Sequence, residues 1–357
     1  MTDGRRPVAI LGAGGYVGQH FARLLADHPL FEPVLFGAGD RTRGHRLGEV
    51  WQLSEPPPPP VEDARLERVR PSALARSRIR LVFSALPSGT AGPIETELAR
   101  RGIAVFTNAS DHRMDRGVPL LVPEVNAAHL KLTERRSSGR APIVANPNCS
   151  AAGLVLALAP LRTILRPRAV HVTTFQSLSG AGYPGVPSLA ITDNVVPFIR
   201  EEEEKLDLET RRMLGVVRAG AVAPFPVPVI AHCARVATRE GHLEAVTVDA
   251  RSRPARERIL DAWRTFDPLR DEPLPTAPHP PLEVRSEPDR PQPIRDRWAG
   301  APARARGMAV VVGRVRWEPP YLRFFVLSNN AVRGAAGGSV LNAELALAGG
   351  LLGPPSG

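Results

Sequence analysis

The sequence predicts an α/β protein of two domains, an N-terminal doubly wound parallel sheet followed by an α+β domain with a mostly antiparallel sheet. Strand-like and helix-like segments alternate up to about residue 145, which is typical of a parallel sheet covered by helices. A glycine-rich turn follows the first apolar run directly. After Cys149 the pattern changes to strand-like segments with few helices between them. With 357 residues the chain is long enough for about two domains, which we place at 1–148 and 149–330.

The first domain begins with a βαβ unit. Residues 7–12 (PVAILG) predict a buried strand, GQHFARLLADHP predicts a helix that ends near Pro29, and EPVLFGAG predicts a second strand. The five prolines at 56–60 indicate a surface loop or polyproline stretch. RLVFSALPSG (80–89) predicts a strand that ends in a loop, GPIETELARRG a helix closed by Gly102, and IAVFTNAS another strand.

Four segments predict the strands of the second domain: RAVHVTTFQSLSG, HLEAVTVDA, MAVVVGRVRW and LRFFVLSNN. Residues 267–295 are rich in proline and charge, and we expect a long surface excursion with some flexibility there. The C-terminal segment GGSVLNAELALAGGLL predicts a helix.

Composition excludes several classes of protein. Apolar residues make up 43% and charged residues 23%, as in soluble globular proteins. We find no apolar run long enough to span a membrane and no signal-peptide pattern, and two cysteines give no disulfide framework, so we expect a cytoplasmic protein. The net charge of +10 is spread along the chain without basic runs or interleaved aromatics, so nucleic acid is the partner that the sequence supports least.

Lysine is rare in this chain. Of 46 basic residues only Lys131 and Lys205 are lysine, which hints that these positions need a compact ammonium rather than a planar guanidinium.

The glycine-rich turn has the pattern G-x-x-G-x-x-G, formed by Gly12, Gly15 and Gly18, with Gly14 between them. Glycines let the backbone approach a diphosphate, and the helix that follows supplies N–H groups and the positive end of its dipole. The alternative is a tight strand-to-helix turn without a ligand.

The end of the second strand bears on which dinucleotide is bound. An acidic residue here favours NAD, whereas basic and hydroxyl groups favour the 2′-phosphate of NADP(H). Asp40 is present, but Arg41, Thr42 and Arg43 follow at once, which favours NADP(H). The alternative is a solvated charged loop.

Cys149 follows a rigid Asn-Pro-Asn turn in ANPNCSAAG and opens an apolar segment. It is either a buried core thiol or a nucleophile, and a helix N-terminus is expected to lower a thiol pKa. Gln176 lies beside a glycine-rich stretch that a ligand can approach closely. Glu202 and Lys205, three residues apart, share one face of a predicted helix, although most of that charge run is typical of a solvated helix.

Arg235 and His242 complete the candidate set, seven residues apart before a predicted strand. A lone histidine is more often structural, but an imidazole near a thiol can take its proton and return one. An arginine can hold a carboxylate with two hydrogen bonds. Together these groups indicate conversion between an acyl derivative and an aldehyde through a thioester.

The chain resembles the aspartate-semialdehyde dehydrogenase family, and is more similar to its archaeal and fungal branch. The matching stretches occur in family order between residues 8 and 345: GAGGYVGQHFARLLADHP, SALPSGTAG, TNASDHRM, PLLVPEVNAAHL, ANPNCSAAG, QSLSGAGYPGVPSLAITDN, EEEEK, RVATREGHLEA, PQPIRDR, GMAVVVGRVR and NNAVRGAAGGSVLNAE.

The resemblance implies roles for individual residues. Cys149 would be the nucleophile, His242 the general acid/base, and Gln176 a residue that positions substrate and thioester. The substrate-binding residues would be Asn148, Arg235 for the α-carboxylate, Glu202 for the amino group, and Arg113 and Lys205 for the phosphate. The cofactor-binding residues would be Gly12, Gly14, Gly15, Tyr16, Val17, Gly18, Arg41, Thr42, Ser84, Leu86, Pro87, Ser179, Gly180 and Asn329.

The implied activity is the NADP-dependent reductive dephosphorylation of 4-phospho-L-aspartate to L-aspartate 4-semialdehyde, a step of aspartate-family amino-acid biosynthesis. The implied partners are this small substrate and phosphate, with no metal, nucleic acid or membrane. The resemblance also implies a homodimer or homotetramer, and a C-terminal segment, 331–357, that returns to complete the first domain.

Departures from the family pattern keep alternatives open. The family usually has Arg-Ser-Ala-Gly-Lys after the second strand, whereas this chain has Arg-Thr-Arg-Gly-His at 41–45, so the lysine that supports NADP over NAD is missing. Ala237 and Thr238 stand where Pro-Val is frequent. A paralogue of a specialised pathway, an acyl-CoA reductase such as malonyl-CoA reductase and, more distantly, N-acetyl-glutamyl-phosphate reductase are the competing enzymes. An inactive scaffold is disfavoured because Cys149 and His242 are both present.

Overall fold

The computed structural model of the protein describes residues 4–135 and 139–353. The predicted domain ranges also take in 1–3, 136–138 and 354–357, which lie outside the described residues. Two sheets dominate the structure, one in each half of the chain.

The first sheet is parallel and doubly wound, as predicted. Within the described residues it has six strands in the order β3-β2-β1-β4-β5-β6. Its strands are β1 (Arg6–Leu11), β2 (Phe31–Gly37), β3 (Leu66–Glu67), β4 (Leu81–Ser84), β5 (Ala104–Thr107) and β6 (Ile143–Ala145). Its helices are α1 (Tyr16–Leu25), α2 (Pro59–Glu62), α3 (Pro71–Ala75), α4 (Ala91–Arg100) and α5 (Pro123–Asn126). The strand order reverses between β1 and β4, and such a switch point is where open α/β sheets bind ligands.

The second half contains the remaining elements. The helices are α6 (Cys149–Leu158), α7 (Arg162–Leu165), α8 (Ser188–Ile191), α9 (Glu202–Met213), α10 (Arg256–Arg264), α11 (Pro293–Asp296) and α12 (Gly337–Ala348), with a π-helical segment at Val332–Ala336. The strands are β7 (Pro167–Gln176), β8 (Val216–Arg218), β9 (Ala221–Ala223), β10 (Val229–Arg235), β11 (His242–Ala250), β12 (Leu282–Val284), β13 (Val310–Glu318) and β14 (Tyr321–Ser328). Single 3-10 turns lie at Gly48–Val50, Ala159–Leu161, Leu178–Ala181 and Ala303–Ala305, and a longer one at Ala127–Arg135.

The second sheet is antiparallel at its centre. In the described part of the chain its order is β10-β7-β11-β14-β13-β12, with antiparallel inner pairs and a parallel pair at each edge. The four inner strands are the four that the sequence predicted. The two edge strands, β10 and β12, were missed.

The proline-rich stretch 267–295 was expected to be a long surface excursion, and the structure corrects this in part, because exposed residues alternate with buried anchors. Leu269, Leu274 and Ala277 are buried in a small apolar cluster, and the backbone N–H of Thr276 donates to the carboxylate of Glu344 in α12 at 3.0 Å. The apolar residues between the prolines therefore pack, although the prolines limit regular structure. The prolines at 56–60 likewise run into the short helix α2.

Two helices join the halves of the molecule. Helix α6 is almost wholly buried and packs against α9 and against β14 of the second sheet. Helix α12 packs against strand β5 of the first sheet and against helix α1, which also packs on that sheet. Because α6 begins at Cys149, this junction fixes the cysteine between the two sheets.

Candidate active site

The register of the second sheet gathers three predicted side chains at one end. Strand β7 ends at Gln176, which is paired with Arg235 at the end of the parallel strand β10. Strand β11 runs antiparallel to β7 and begins with His242 at the same end. All three side chains are buried there.

Cys149 is held by the residue that precedes it. The side-chain oxygen of Asn148 caps α6 by accepting from the backbone N–H groups of Ser150 and Ala151, at 2.9 and 3.2 Å. The amide nitrogen of Asn148 donates to the carboxylate of Glu202, 3.0 Å from both oxygens. The N-cap and the helix that carries Glu202 thus fix the start of α6, and with it the thiol.

The thiol and the imidazole are in contact. Cys149 Sγ lies 3.2 Å from His242 Nε2, a hydrogen-bonding distance for sulfur. On the other side of the ring, Nδ1 lies 3.1 Å from the backbone nitrogen of Ser177 and 3.2 Å from its hydroxyl oxygen. This geometry allows direct proton exchange between Sγ and Nε2.

Electrostatics favours the neutral form of both groups. Burial raises the pKa of the Cys149 thiol to about 12; the Glu202 carboxylate adds to the rise, and Arg113 and Arg235 oppose it. Burial and then the charge of Arg235 lower the pKa of His242 to about 3. The expectation of a lowered thiol pKa was wrong, because desolvation outweighs the helix N-terminus. A thiol that reacts here would therefore pass its proton to a neighbouring base during the reaction, and His242 is within reach.

The charged side chains form a shell around this pair. Arg113 donates to Glu209 at 2.9 Å and to the Asn108 carbonyl at 2.8 Å. Arg235 donates to the Ser177 carbonyl at 2.8 Å. A substrate carboxylate or phosphate could bind these guanidiniums through donors that remain, since each guanidinium has five.

Glu202 and Lys205, which were predicted to share one face of a helix, contact different partners in α9. Glu202 accepts from Gln176 Nε2 at 2.7 Å, so it faces inward. Lys205 pairs with Glu201 at 3.1 Å rather than with Glu202, and it is 30% exposed. Its ammonium is thus close to water at the rim and open to an anionic ligand.

One cleft contains most of the predicted site. It has a volume of about 540 Å³ and lies between the two sheets. Its lining includes these predicted residues: Tyr16, Val17, Leu86, Pro87, Arg113, Asn148, Cys149, Gln176, Ser179, Gly180, Glu202, Lys205 and Arg235. His242 lies behind Cys149 rather than in the wall.

The glycine turn at one end of this cleft fits a dinucleotide. Gly12 has φ +75°, and a Cβ on Gly18 would collide with the Gly12 carbonyl, so both positions need glycine. Tyr16 and Val17 open α1 in the cleft wall, and N–H groups in a first helical turn have no partner within the helix. Backbone donors and a helix dipole therefore face the space that a diphosphate would need.

The loop that follows β2, residues 38–45, packs against the glycine turn through Thr42. A Cβ on Gly14 would lie 2.5 Å from the hydroxyl oxygen of Thr42, so Thr42 sits against the turn. Arg41 is exposed, and Arg43 lies 3.4 Å from Asp40 in a surface ion pair. The carboxylate of Asp40 is therefore paired with Arg43, while Thr42 lies beside the glycine turn.

Several predicted residues lie outside the cleft wall. Ser84 is fully buried at the end of β4. Asn329 is buried, and its side-chain oxygen accepts from the backbone N–H groups of Ala331 and Val332 at 3.1 and 3.0 Å, just before and at the start of the π-helical segment. The next residue, Asn330, lines the cleft instead. The cleft lining also leaves out Arg41, Thr42 and the turn glycines Gly12, Gly14, Gly15 and Gly18.

Sequence reasoning missed two close backbone contacts. A Cβ on Gly334 would lie 2.7 Å from Cys149 Cβ, so the π-helical segment packs directly on the cysteine. A Cβ on Gly180 would lie 2.8 Å from Arg235 Nη1 and 3.0 Å from His242 Cε1. Gly180 was expected to bind cofactor, and the structure adds that only glycine lets this loop cover the histidine. π-Helical segments occur frequently at functional sites, a signal that exists only in the folded chain.

Among the described residues, we find no group of three or more His, Cys, Asp or Glu side chains arranged to hold a metal ion. In the same part of the chain, none of the helices combines the length and hydrophobicity needed to cross a membrane. Both cysteines are free thiols.

The glycine turn lies at the switch point of a doubly wound sheet, and the start of the helix that follows it lines the same cleft as Cys149, which contacts His242. This combination is typical of a dinucleotide-dependent oxidoreductase. Residues 7–133 match the family model for the semialdehyde dehydrogenase NAD-binding domain, and residues 158–333 match the semialdehyde dehydrogenase dimerisation domain. The chain therefore belongs to the semialdehyde dehydrogenase family.

Full-length relatives agree with this placement. An aspartate-semialdehyde dehydrogenase of Archaeoglobus fulgidus is 44% identical over 347 residues, covering 96% of this chain and 98% of its own. A malonyl-CoA reductase (NADP) of Metallosphaera sedula is 39% identical over 347 residues, covering 94% and 95%. The crystal structure of aspartate-semialdehyde dehydrogenase with NADP from Candida albicans superimposes with a TM-score of 0.84 at 34% identity, covering 97% of this chain and 99% of that one.

Proposed function

We propose that this chain is an NADP-dependent aspartate-semialdehyde dehydrogenase that converts 4-phospho-L-aspartate to L-aspartate 4-semialdehyde. The main support is the 3.2 Å contact between Cys149 Sγ and His242 Nε2 beside a cleft with cationic walls. The resemblance of the relatives' sequences adds the identity of the acyl group. In this proposal residues 1–148 with 331–357 bind the dinucleotide, and residues 149–330 bind substrate and assemble the oligomer.

The first half of the reaction forms a thioester. His242 Nε2 takes the thiol proton, and the electron pair on Cys149 Sγ attacks the acyl carbon of 4-phospho-L-aspartate. The C–S bond forms, the C–O bond to phosphate breaks, and phosphate leaves with the electron pair. Arg113 and Lys205 would stabilise the leaving phosphate, because both line the cleft.

The second half releases the aldehyde. NADPH bound at the glycine turn would supply the hydride that reduces the thioester. Cys149 stands at the first position of α6, so its own N–H has no acceptor within the helix and can hold the oxyanion of the resulting hemithioacetal. When the C–S bond breaks, His242 returns its proton to the sulfur. Arg235 would hold the α-carboxylate of the substrate and Glu202 its amino group.

Cofactor preference is part of the proposal. Thr42 stands against the glycine turn, the exposed Arg41 precedes it in the chain, and Arg43 shares its charge with Asp40. We expect a higher kcat/KM with NADP⁺ than with NAD⁺. Arg41→Ala should lower kcat/KM for NADP⁺ and leave kcat/KM for NAD⁺ unchanged, so the preference for NADP⁺ should shrink. An unchanged preference would mean that Arg41 does not bind the 2′-phosphate.

The acyl substrate is tested in the reverse direction. NADP⁺ reduction is followed with L-aspartate 4-semialdehyde plus phosphate, and separately with malonate semialdehyde plus CoA. The proposal predicts phosphate-dependent activity with the first pair. Activity with the second pair alone would make the chain a malonyl-CoA reductase, the activity named for the Metallosphaera relative.

Assembly and location follow the same proposal. The second domain matches a dimerisation domain, and apolar side chains such as Ile230 on edge strand β10 are 46% exposed. We expect a homodimer or homotetramer, which light scattering at micromolar concentration would measure. A strictly monomeric mass would contradict this part. Two free thiols, one of them reactive, suit the reducing cytoplasm.

A further inference from the structure

Behind the catalytic histidine lies a closed ring of polar side chains that no step above has used. Asn330 Nδ2 donates to Ser179 Oγ at 2.9 Å, and Ser179 Oγ lies 3.3 Å from Ser177 Oγ. Ser177 Oγ in turn donates to Asn330 Oδ1 at 3.0 Å. The orientation of the Asn330 amide is fixed because the backbone N–H of Gly241, next to His242, also donates to Oδ1 at 2.9 Å.

This ring determines what the Ser177 hydroxyl can offer the histidine. Asn330 Oδ1 only accepts, so the Ser177 hydroxyl proton points to it and a lone pair of Ser177 Oγ remains for a further donor. That lone pair is 3.2 Å from His242 Nδ1. The competing neighbour of Nδ1, the Ser177 backbone nitrogen at 3.1 Å, can only donate. Ser177 is fully buried and outside the cleft wall, so it does not touch the substrate space.

The two neighbours of Nδ1 favour opposite tautomers. When the Ser177 N–H donates to Nδ1, the ring proton sits on Nε2 and the histidine cannot accept the thiol proton. When Nδ1 carries the proton, it donates to Ser177 Oγ, and the lone pair on Nε2 faces Cys149 Sγ. The two distances differ by only about 0.1 Å, so both partners lie within hydrogen-bonding reach of Nδ1.

We infer that Ser177, oriented by Asn330, is a positioning residue that selects the base-competent tautomer of His242. In this arrangement the proton moves from Sγ to Nε2, the sulfur electron pair becomes the nucleophile, and the imidazolium keeps its second proton on Nδ1, donated to Ser177 Oγ. A neutral hydroxyl thus occupies the place that a carboxylate holds in a Ser-His-Asp triad. This inference deepens the proposed function, on which its kinetic arm rests.

Three variants test the inference in the full-length protein. Ser177→Ala leaves only the backbone donor at Nδ1 and should lower kcat by about 10²-fold, the usual range for lost general-base catalysis. KM should stay unchanged, because Ser177 is outside the cleft. Ser177→Thr keeps the hydroxyl and should recover most of kcat. Ser150→Ala is the matched control, since Ser150 is equally buried beside the cysteine and its hydroxyl has no partner among the described residues.

A second measurement needs no substrate: the rate of Cys149 alkylation by iodoacetamide between pH 6 and 8. The thiol and the imidazole stay neutral across this range, so the rate of an attack in which His242 Nε2 takes the thiol proton does not depend on pH. Wild type should therefore alkylate at a pH-independent rate. Ser177→Ala can form thiolate only by losing a proton to solvent, so its rate should rise about tenfold per pH unit. Arg113, Arg235 and Glu202, which also act on the thiol, are unchanged in the variant.

The outcomes separate the two proposals. A flat profile in Ser177→Ala, wild-type kcat in that variant, or failure of Ser177→Thr to restore both readouts would overturn the role of Ser177. If the semialdehyde assay fails but the alkylation profiles differ as expected, the proposed substrate is wrong and the tautomer role stands. Melting temperature and NADP⁺ binding of Ser177→Ala are measured alongside, and must match wild type for the kinetic loss to support the inference.

Discussion

A substitution at Gly334 should displace Cys149 without changing the cysteine itself. In Gly334→Ala the new Cβ would meet Cys149 Cβ at 2.7 Å and Cys149 Cα at 2.8 Å. Carbon atoms pack at about 3.5–4.0 Å, so one side must move by about 1 Å. The π-helical segment cannot easily retreat, because the Gly334 carbonyl accepts from Asn146 Nδ2 at 3.0 Å and the adjacent Arg333 is held in a buried ion pair with Glu124.

A displacement of about 1 Å at a reacting atom costs about 10²-fold in rate. We therefore expect kcat of Gly334→Ala to fall by about 10²-fold, with the Kd for NADP⁺ within a few-fold of wild type. The assay is NADP⁺ reduction with semialdehyde and phosphate, together with fluorescence titration of NADP⁺. Gly117→Ala is the control, because nothing lies within 4 Å of its Cβ position. Wild-type kcat in Gly334→Ala would refute the close packing of the π-helical segment on Cys149.

Other substitutions test separate parts of the structure. Cys149→Ala should abolish turnover while NADP⁺ still binds in titration. Turnover near the wild-type rate in this variant would show that Cys149 is not the nucleophile. Arg333→Met leaves the carboxylate of Glu124 buried and unpaired, since both side chains are at most 2% exposed, and should destabilise the fold by about 3–5 kcal/mol in thermal or urea unfolding. Burial and then the Glu202 carboxylate raise the pKa of Glu244, so the native state keeps this proton while the unfolded chain loses it above about pH 4.3. Stability from this group therefore falls as pH rises, and Glu244→Gln should raise Tm more at pH 8 than at pH 5; an equal gain at both would contradict the raised pKa.

The inner strands of both sheets could be predicted because their patterns are local. Buried residues alternate with half-buried or exposed ones over the last seven residues of β7 and over all nine residues of β11. The edge strands β10 and β12 lack such a signal, since VIAHCAR mixes polar and apolar residues and β12 has three residues within a proline-rich stretch. Their pairing depends on long-range partners.

The candidate site divides in the same way. Cys149, Gln176, Glu202, Arg235 and His242 were predicted because their residue types signal chemistry, and because the resemblance located them. Their supporting residues were not. Ser177 and Asn330 are 153 positions apart in the chain. They meet only because β7 ends just before Ser177 and β14 ends shortly before Asn330, so no local pattern marks them. The direction of the Cys149 pKa also depended on burial, which no local motif reports.

The central claim is that Cys149 holds the acyl group as a thioester. The enzyme is incubated with L-aspartate 4-semialdehyde and NADP⁺ without phosphate, quenched in acid, digested and analysed by mass spectrometry. We predict a mass increase of one aspartyl group on the peptide that contains Cys149, removed when phosphate is added before the quench. An unmodified Cys149 peptide under turnover conditions, or an aspartyl group on Cys233 instead, would contradict the account.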